Sequence, residues 1–434
     1  MEGHKKTRLS WVLYDFGNSA FATTIMAAVL PVFYYDVAAA GLDENLAASY
    51  WGYSQSIAVL IVAIMAPILG AISDYSAAKK KFLRFFTYMG IIASILLAFV
   101  GEGDYIFASI LLIVGTIGFS GGNVFYDAFL PEIAEGEEMD KLSADGFAWG
   151  YIGGGILLAI NILMILKHDW FGIPNASVAS QLSFASVGVW WFIFSIPLFR
   201  NIKEEKKTAV KREKSYVSIG FSRVATTFKA LKQYKQLLIF LLAFWMYNDG
   251  ISTIIKMATI YGRDIGIDGN SLIAALLITQ FVGIPCTFFF GWLAKKITAK
   301  KALLITLYAY VGIVILGYFM SAALHFYLLA ICVGVVQGGA QSLSRSIFGR
   351  MVPDNKHAEF FGFYGISSKF AAIFGPFLFA LVGQLTGSSR LGIVSLVVFF
   401  IGGIILLRFV DIDKGVRDAK RQTGTEGKVE IKPQ

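Results

Sequence analysis

Long apolar stretches alternate with short polar interruptions along this chain, from about residue 11 to about residue 410. Reading for uninterrupted apolar runs gives twelve of them. They cover 11–36, 49–73, 82–101, 104–130, 145–166 and 181–200, then 236–261, 270–293, 300–321, 325–347, 358–384 and 388–410. Each is close to the roughly 20 residues a helix needs to cross hydrocarbon. None alternates at period two, so the runs predict helices rather than barrel strands, the only two structures that satisfy the whole backbone in lipid. The narrowest break, Glu102 to Tyr105, divides the third run from the fourth.

Composition agrees with that pattern. Of 434 residues, 56% are apolar and 15% charged, against roughly 45–50% and about 25% in ordinary soluble domains. Mean hydropathy is +0.65 over the whole chain. These values exclude a soluble multi-domain enzyme, a disordered protein and a disulfide scaffold. Cys286 and Cys332 lie far apart in apolar runs and read as small buried hydrophobes, with neither a disulfide framework nor metal-ligand spacing. His4, Lys5, Lys6 and Arg8 resemble the basic start of a signal peptide. The run they precede is long and is followed by many more, which predicts an uncleaved first span.

The net charge of +9 changes meaning once the runs are placed. With the N-terminus in the cytoplasm, 33 of the 38 basic residues fall on the cytoplasmic side. Lys167, Arg263 and Arg390 fall outside, and Lys256 and Lys369 within spans. By the positive-inside rule this predicts a multi-pass membrane protein with both termini in the cytoplasm. The charge thus encodes orientation and is no nucleic-acid footprint. One loop on that side is acidic, with Glu132, Glu135, Glu137, Glu138 and Asp140. Acidic residues weigh little in orientation, and this loop can pair with basic loops nearby.

Residues 201–235 form the only long polar stretch inside the chain and divide six spans from six. The halves also echo each other. Gly70-Ala-Ile-Ser-Asp74 before Lys79-Lys80-Lys81 matches Gly291-Trp-Leu-Ala-Lys295 before Lys300-Lys301. Tyr14 to Ser19 in the first span pairs with Tyr247 to Ser252 in the seventh. Gly121-Gly122 pairs with Gly338-Gly339, and Gly146-Phe147 with Gly362-Phe363. Four pairs in the same order predict an internal repeat: a bundle over 1–200, a basic cytoplasmic linker over 201–235, a second bundle over 236–410 and a polar tail over 411–434.

A six-plus-six arrangement with Gly-x-x-x-Asp and a basic cluster between spans two and three resembles the major facilitator superfamily. Gly70, Asp74 and Lys79 fit that loop signature, while Ala77 and Ala78 stand where the family usually has Gly and Arg. Further stretches resemble its autophagy-related vacuolar effluxer branch and the bacterial relatives of that branch. These are Trp11 to Ala22, Phe125 to Glu132, Tyr247 to Gly250, Gln337 to Ser346 and Glu359 to Tyr364. The resemblance implies two pseudo-symmetric six-helix bundles whose first, fourth, seventh and tenth spans line a central cavity. It also implies transport, with amino-acid export from the vacuole linked to the fungal members, while the short chain and short loops resemble the bacterial ones and imply a bacterial inner (plasma) membrane.

Charged and polar residues inside spans are the candidate chemistry, since they are costly there and usually face a cavity or one another. Asp249 lies about 13 residues into the seventh span, roughly 20 Å along a helix. Lys256 follows two turns later on the same face. Asp249 reads as a proton-coupling site or as half of a fixed ion pair with Lys256 or Lys369. Lys369, after Ser367 and Ser368, can hold an anionic group of a substrate or pair with Asp249. Tyr14 with Asn18, Asn123 with Asp127, and Gln337 with Gln341 are each one turn apart. With Tyr126, Tyr247 and Asn248 they suit hydrogen bonding to a polar solute, or bonding between helices.

Asp15, Asp127 and Arg345 sit nearer the cytoplasmic ends of their spans and read as gating or ion-pairing groups. Asp74 with Lys79 and Lys80 is a candidate latch or a set of solvated loop charges. Glycines at four-residue spacing, such as Gly118 and Gly122, predict close helix packing. Trp190 and Trp191 predict lipid contact in the sixth span. No metal or cofactor motif is present, and His4, His168, His325 and His357 fall at span ends or loops.

The leading expectation is a secondary transporter that moves a small polar solute by alternating access. An amino acid is a candidate cargo and protons the coupling ion. It would work in the bilayer as a monomer, with the solute as its partner. No Gly-x-x-x-x-Gly-Lys-Ser/Thr sequence offers ATP as the energy source, and no His-Glu-x-x-His or Gly-x-Ser-x-Gly suggests an enzyme. The alternative is a receptor or scaffold on the same fold that binds without transport.

Overall fold

The computed structural model describes residues 2–204, 234–264, 266–267, 269–354 and 356–422. The side chains of a few of these residues, Lys256 and Lys369 among them, lie outside the described set. So do most of the predicted linker, 201–235, and the end of the predicted tail, 411–434. Among the described residues every regular element is helical.

The first six helices are α1 (Lys5–Ala38), α2 (Tyr50–Ser76), α3 (Lys79–Phe99), α4 (Tyr105–Ile133), α5 (Gly136–Leu166) and α6 (Ala176–Asn201). The next four are α7 (Lys235–Asp264), α8 (Gly269–Ile297), α9 (Ala299–Tyr318) and α10 (Ala323–Arg350). They are followed by α11 (His357–Thr386), α12 (Ser389–Arg408) and the polar α13 (Ile412–Gln422). Among the described residues, eleven of the predicted runs fall in helices long and apolar enough to cross a membrane. The run at 358–384 falls in α11, whose stretch Phe374–Thr386 is apolar but shorter.

Two boundaries differ instructively from the hydropathy reading. Helix α5 starts at Gly136 rather than near residue 145, so much of the acidic stretch is helix rather than loop. Glu137 and Glu138 lie in its first turn, where the unpaired amides of a helix start favour negative charge. The weak break at Glu102–Tyr105 is a real turn. Gly103 there has φ +82°, and the Asp104 carboxylate accepts the Gly101 amide at 2.9 Å. Helix α1 is also irregular. It widens to π-helix over Phe21–Ala28, returns to α over Val29–Phe33 and widens again over Tyr34–Ala38. Pro31 sits between the two wide stretches, where it lacks an amide hydrogen and crowds the preceding turn.

The chain falls into two compact units. The first comprises Met1–Ala66, Ala77–Tyr126 and Asp145–Lys207. The second comprises Pro67–Ser76, Asp127–Ala144 and Thr208–Gln434, so it includes the end of α2, the end of α4 and the start of α5.

In the first unit Trp191 corrects its expected lipid contact. It is fully buried, with Phe21 at 5.8 Å and Phe119 at 6.2 Å between ring centroids. Its ring lies where a Cβ on Gly90 would be, at 2.5 Å. A glycine on α3 therefore makes the slot that takes the indole, a pairing that hydropathy cannot register. Trp190 is half-buried and donates its indole N–H to the Phe16 carbonyl at 3.2 Å.

The internal repeat has a counterpart in helix-end chemistry. Lys80, at the start of α3, donates its ammonium to the Ile202 carbonyl at 2.7 Å, just beyond α6. Lys300, at the start of α9, donates to the Arg408 and Val410 carbonyls at 2.9 and 2.6 Å, at the end of α12. In each half a lysine thus satisfies carbonyls that a helix end leaves without partners.

Candidate functional site

The polar residues of α1 and α4 form one cluster in the first unit. Asn18 donates its amide to the Asn123 carbonyl oxygen at 2.7 Å. The Tyr126 hydroxyl donates to the Asp15 carboxylate at 3.2 Å, and the Trp11 indole donates to the Tyr126 carbonyl at 3.0 Å. Tyr126 stacks between Trp11 at 4.3 Å and Tyr14 at 4.9 Å, while the Tyr14 hydroxyl shares a hydrogen bond with Thr87 at 2.8 Å. Tyr14, Asn18 and Tyr126 are buried and Asn123 is half-buried. One turn along α1 and one along α4 therefore meet over a short polar seam. The rings of Trp11, Tyr14 and Tyr126 wall one end of it.

Asp249 on α7 is 1% exposed. Its carboxylate accepts the Gly375 amide of α11 at 2.9 Å, and the Thr253 hydroxyl lies 3.5 Å from the same oxygen while donating to the Asp249 carbonyl at 2.7 Å. Pro376 follows Gly375 inside α11 and has no amide hydrogen to continue the helix ladder. The carboxylate therefore meets the α11 backbone directly before its proline. A Cβ on Gly375 would collide with Thr253 and come within 2.7 Å of the Asp249 oxygen, so only glycine permits the approach. Neighbouring Tyr247 is buried and bonds Ser344 of α10 at 2.6 Å, and Asn248 is largely buried. Lys256 and Lys369, the expected cationic partners of Asp249, have side chains outside the described residues. Gln337 lines an apolar cavity among the C-terminal helices, and Gln341 is half-buried on the same helix.

A second cluster, wholly in the second unit, surrounds Arg345 of α10. Its guanidinium donates to Asp127 at 3.0 Å, to the Ser143 hydroxyl at 2.9 Å and to the Ser143 carbonyl at 2.9 Å. The Ser143 hydroxyl donates onward to the Ser342 carbonyl at 2.8 Å. Arg345 is 4% exposed, so several donors are satisfied together out of water. One turn on, Asp140 accepts the Ser346 hydroxyl at 2.5 Å and pairs with Arg350. Asp140 is 1% exposed. These two rungs join the end of α4 and the start of α5 to α10.

Asp74, at the end of α2, accepts the amides of Ala358 and Glu359 at 3.2 and 2.9 Å. A carboxylate on the first amides of α11 matches the positive end of a helix. Gly70 lies one turn earlier, and a Cβ there would run into the Ala358 carbonyl. Its repeat counterpart Gly291 makes an equivalent approach, with a Cβ position 2.6 Å from Ala144 of α5. Lys79 and Lys80 present their backbone amides to the Glu204 carboxylate at 2.5 and 3.4 Å.

Ser143, Ser346, Arg350, Thr253 and Gly375 were not candidates in the sequence, and Asp140 entered only as part of an acidic loop able to pair with basic ones nearby. Asp140 and Ser143 fell outside the predicted fifth span. The Ser-Leu-Ser-Arg-Ser run at 342–346, with Arg350 one turn beyond, was the available signal for a polar helix face.

Comparison with known proteins fixes the family. A family model described as "Vacuole effluxer Atg22 like" matches residues 37–420. The chain belongs to this Atg22-like family. It is 42% identical over 412 residues to the "Uncharacterized MFS-type transporter YxiO" of Bacillus subtilis (strain 168), covering 94% of this chain and 96% of the relative. It is 25% identical to "Autophagy-related protein 22" of Coccidioides immitis (strain RS), covering 88% and 75%. Among solved structures, the proton:xylose symporter XylE superposes with a TM-score of 0.68 at 12% identity, covering 97% of this chain and 98% of that one. FucP in its outward conformation gives 0.69 at 13%, covering 93% and 98%. These likenesses show the major facilitator fold, and this Atg22-like protein is a multi-pass membrane transporter of the major facilitator type.

Proposed function

We propose that this Atg22-like protein is a proton-coupled secondary transporter of a small polar solute, with amino acids the first class to test. Asp249 is the proton-carrying group in this reading. The observation that supports it best is a buried carboxylate on α7 that accepts the α11 backbone amide of Gly375, next to Pro376. Ionised, the carboxylate is the stronger acceptor for the Gly375 amide. Protonated, it loses much of that advantage. Proton uptake would therefore loosen α7 from α11, while proton release would tighten them. That linkage gives a proton gradient purchase on helix position, as alternating access requires.

Tyr14, Asn18, Asn123, Tyr126, Tyr247, Asn248, Gln337, Gln341, Lys256 and Lys369 are the proposed solute contacts. Asp15, Asp74, Lys79, Lys80, Asp127 and Arg345 are the proposed gating groups. The Arg345 and Asp74 clusters support the gating role, because each joins segments from the N-terminal six spans to helices of the C-terminal six. The distribution of basic residues supports placing both termini in the cytoplasm. Efflux is the proposed direction, drawn from the description of the matching family.

The test is transport by purified protein in proteoliposomes, with radiolabelled amino acids on one side and an imposed proton gradient. Accumulation should follow the gradient in the parent protein. In Asp249→Asn, exchange of solute should persist while gradient-driven accumulation is lost. Accumulation by Asp249→Asn at the parental level would remove Asp249 from the coupling. Saturable binding with no movement of any amino acid would favour the receptor reading.

A further inference from the structure

The internal repeat reappears on the outer surface of each unit. Along α3, Lys81, Phe85 and Tyr88 are exposed, and exposed residues recur 220 positions later on α9 as Lys301, Ile305 and Tyr308. Both stripes run on as exposed apolar residues, to Phe99 in the first unit and Phe319 in the second. Each stripe therefore carries its positive charge at one end only. The last helix of each half adds a second cation at that end. Arg200 closes α6 on the same exposed face as Val189 and Ile193, seven and eleven residues before it, and exposed Arg408 closes α12 after exposed Ile401 and Ile405. Ring contacts tie the paired helix ends together. In the first unit the Arg84 guanidinium lies over the Phe199 ring at 5.4 Å, next to Arg200. In the second the Arg408 guanidinium lies over the Tyr308 ring at 6.0 Å and donates to its hydroxyl. Lys80 and Lys300 serve these same corners differently, since their ammonium groups are taken by carbonyls. One acid stands at each corner. Glu204 accepts the Lys79 and Lys80 amides, and the Asp411 charge acts on Lys300.

A dissolved anion would use the cations and leave the stripe beneath them idle. A phospholipid uses both. One leaflet is roughly 15 Å of hydrocarbon, or about ten residues of helix, which carries an acyl chain from the cations past Phe85 and Tyr88 to Ile92. Arginine stems pack along apolar surface while the guanidinium fork matches phosphate oxygens, and tyrosine favours the headgroup level. Each Lys or Arg near the surface favours an anionic lipid by about fivefold. We propose that each half of this transporter carries a matched site for one anionic phospholipid. Lys81, Arg84 and Arg200 hold the headgroup phosphate in the first half, and Lys301 and Arg408 hold it in the second. The acyl chains lie along the α3 and α9 stripes, in the cytoplasmic leaflet for the orientation proposed above. The first site has one more cation and binds more tightly. These sites rest on the protein's place in a membrane and are separate from Asp249 and proton coupling, so either reading can fail alone.

The test is native mass spectrometry of the purified full chain with added phosphatidylglycerol or phosphatidylcholine of the same acyl chains. The parent protein should retain two phosphatidylglycerol molecules and prefer that lipid over phosphatidylcholine at least tenfold for the first one bound. Lys81→Gln, Arg84→Gln and Arg200→Gln together should leave one retained molecule, as should Lys301→Gln with Arg408→Gln. Arg84→Gln alone should weaken the tighter site about fivefold, and it covers the case in which the triple variant does not fold. An equal loss of charge on α13, through Lys414→Gln, Arg417→Gln and Arg421→Gln, should leave both molecules retained. Equal retention of the two lipids would overturn the sites, and so would full retention by folded variants of either set. A matching loss in the α13 variant would overturn them too, since net charge alone would then explain the binding. Displacement of the lipid by millimolar inorganic phosphate would show that the cations hold a free anion without the stripe, and would equally sink the proposal.

Discussion

At the scale of single residues, Asp249 and Gly375 make a pair that can be tested without knowing the cargo. Asparagine at 249 keeps an oxygen for the Gly375 amide and replaces a charge-assisted bond with a neutral one. Asp249→Asn should therefore change stability by only about 1 kcal/mol, read as a small shift in Tm. Gly375→Ala should do more. The added methyl meets Thr253 and the Asp249 oxygen, and overpacking of this kind costs about 1–3 kcal/mol. Thr253→Ala in the same chain should recover part of that loss, and a double-mutant cycle on Tm measures the coupling. Asp249 was legible in the sequence because a carboxylate deep in an apolar run has to be explained. Its partner was not. Gly375 carries no polar side chain, and a backbone amide becomes a ligand only when a distant helix reaches it.

Among elements, the notable chemistry is at helix ends. Asp74 satisfies two amides at the start of α11, from a position 284 residues away in sequence for the first of them. Asp74→Ala should cost about 0.5–2 kcal/mol, as the loss of a capping side chain does. It should also speed amide exchange over the first turn of α11, measured by mass spectrometry. Faster exchange confined to α2 with α11 unchanged would show that the cap contributes nothing. Lys80 and Lys300 offer a matched comparison, since each binds carbonyls at the end of a helix from its own half. Lys80→Met and Lys300→Met should each lower Tm modestly, and the double variant should lower it by nearly the sum.

The twelve runs and their repeat were readable because hydrocarbon imposes length and apolarity on each span separately. The start of α5 was not, because Gly136–Asp140 is polar by hydropathy and helical by its contacts. Trp191 shows the same limit from the opposite side. An apolar residue in a span faces lipid or protein equally well on hydropathy, and only Gly90 on another helix decides between them.

For the whole molecule, the Arg345 and Asp140 rungs are the strongest candidates for a two-state element. Removing one partner of a buried ion pair typically costs about 3–5 kcal/mol, because the other charge is left behind. Arg345→Ala should therefore depopulate the arrangement described here by about two to nearly four orders of magnitude. Hydrogen exchange over Asp127–Ala144 should rise accordingly, and Arg345→Lys should restore little of the protection, since an ammonium cannot reproduce the guanidinium fork. Unchanged exchange in Arg345→Ala would mean that the rung is not what holds those segments.

The membership of the second unit carries a consequence for synthesis. Pro67–Ser76 and Asp127–Ala144 leave the ribosome about 200 residues or more before their partners in α10 and α11 exist. Until residue 346 has been made, Asp140 lacks both Ser346 and Arg350. The first six helices can insert, yet their ends must wait in a provisional arrangement for the rest of the chain. A fragment that stops near residue 233 should therefore be a poor mimic of its own half. It should be recognised by membrane quality control, even though every one of its spans is complete.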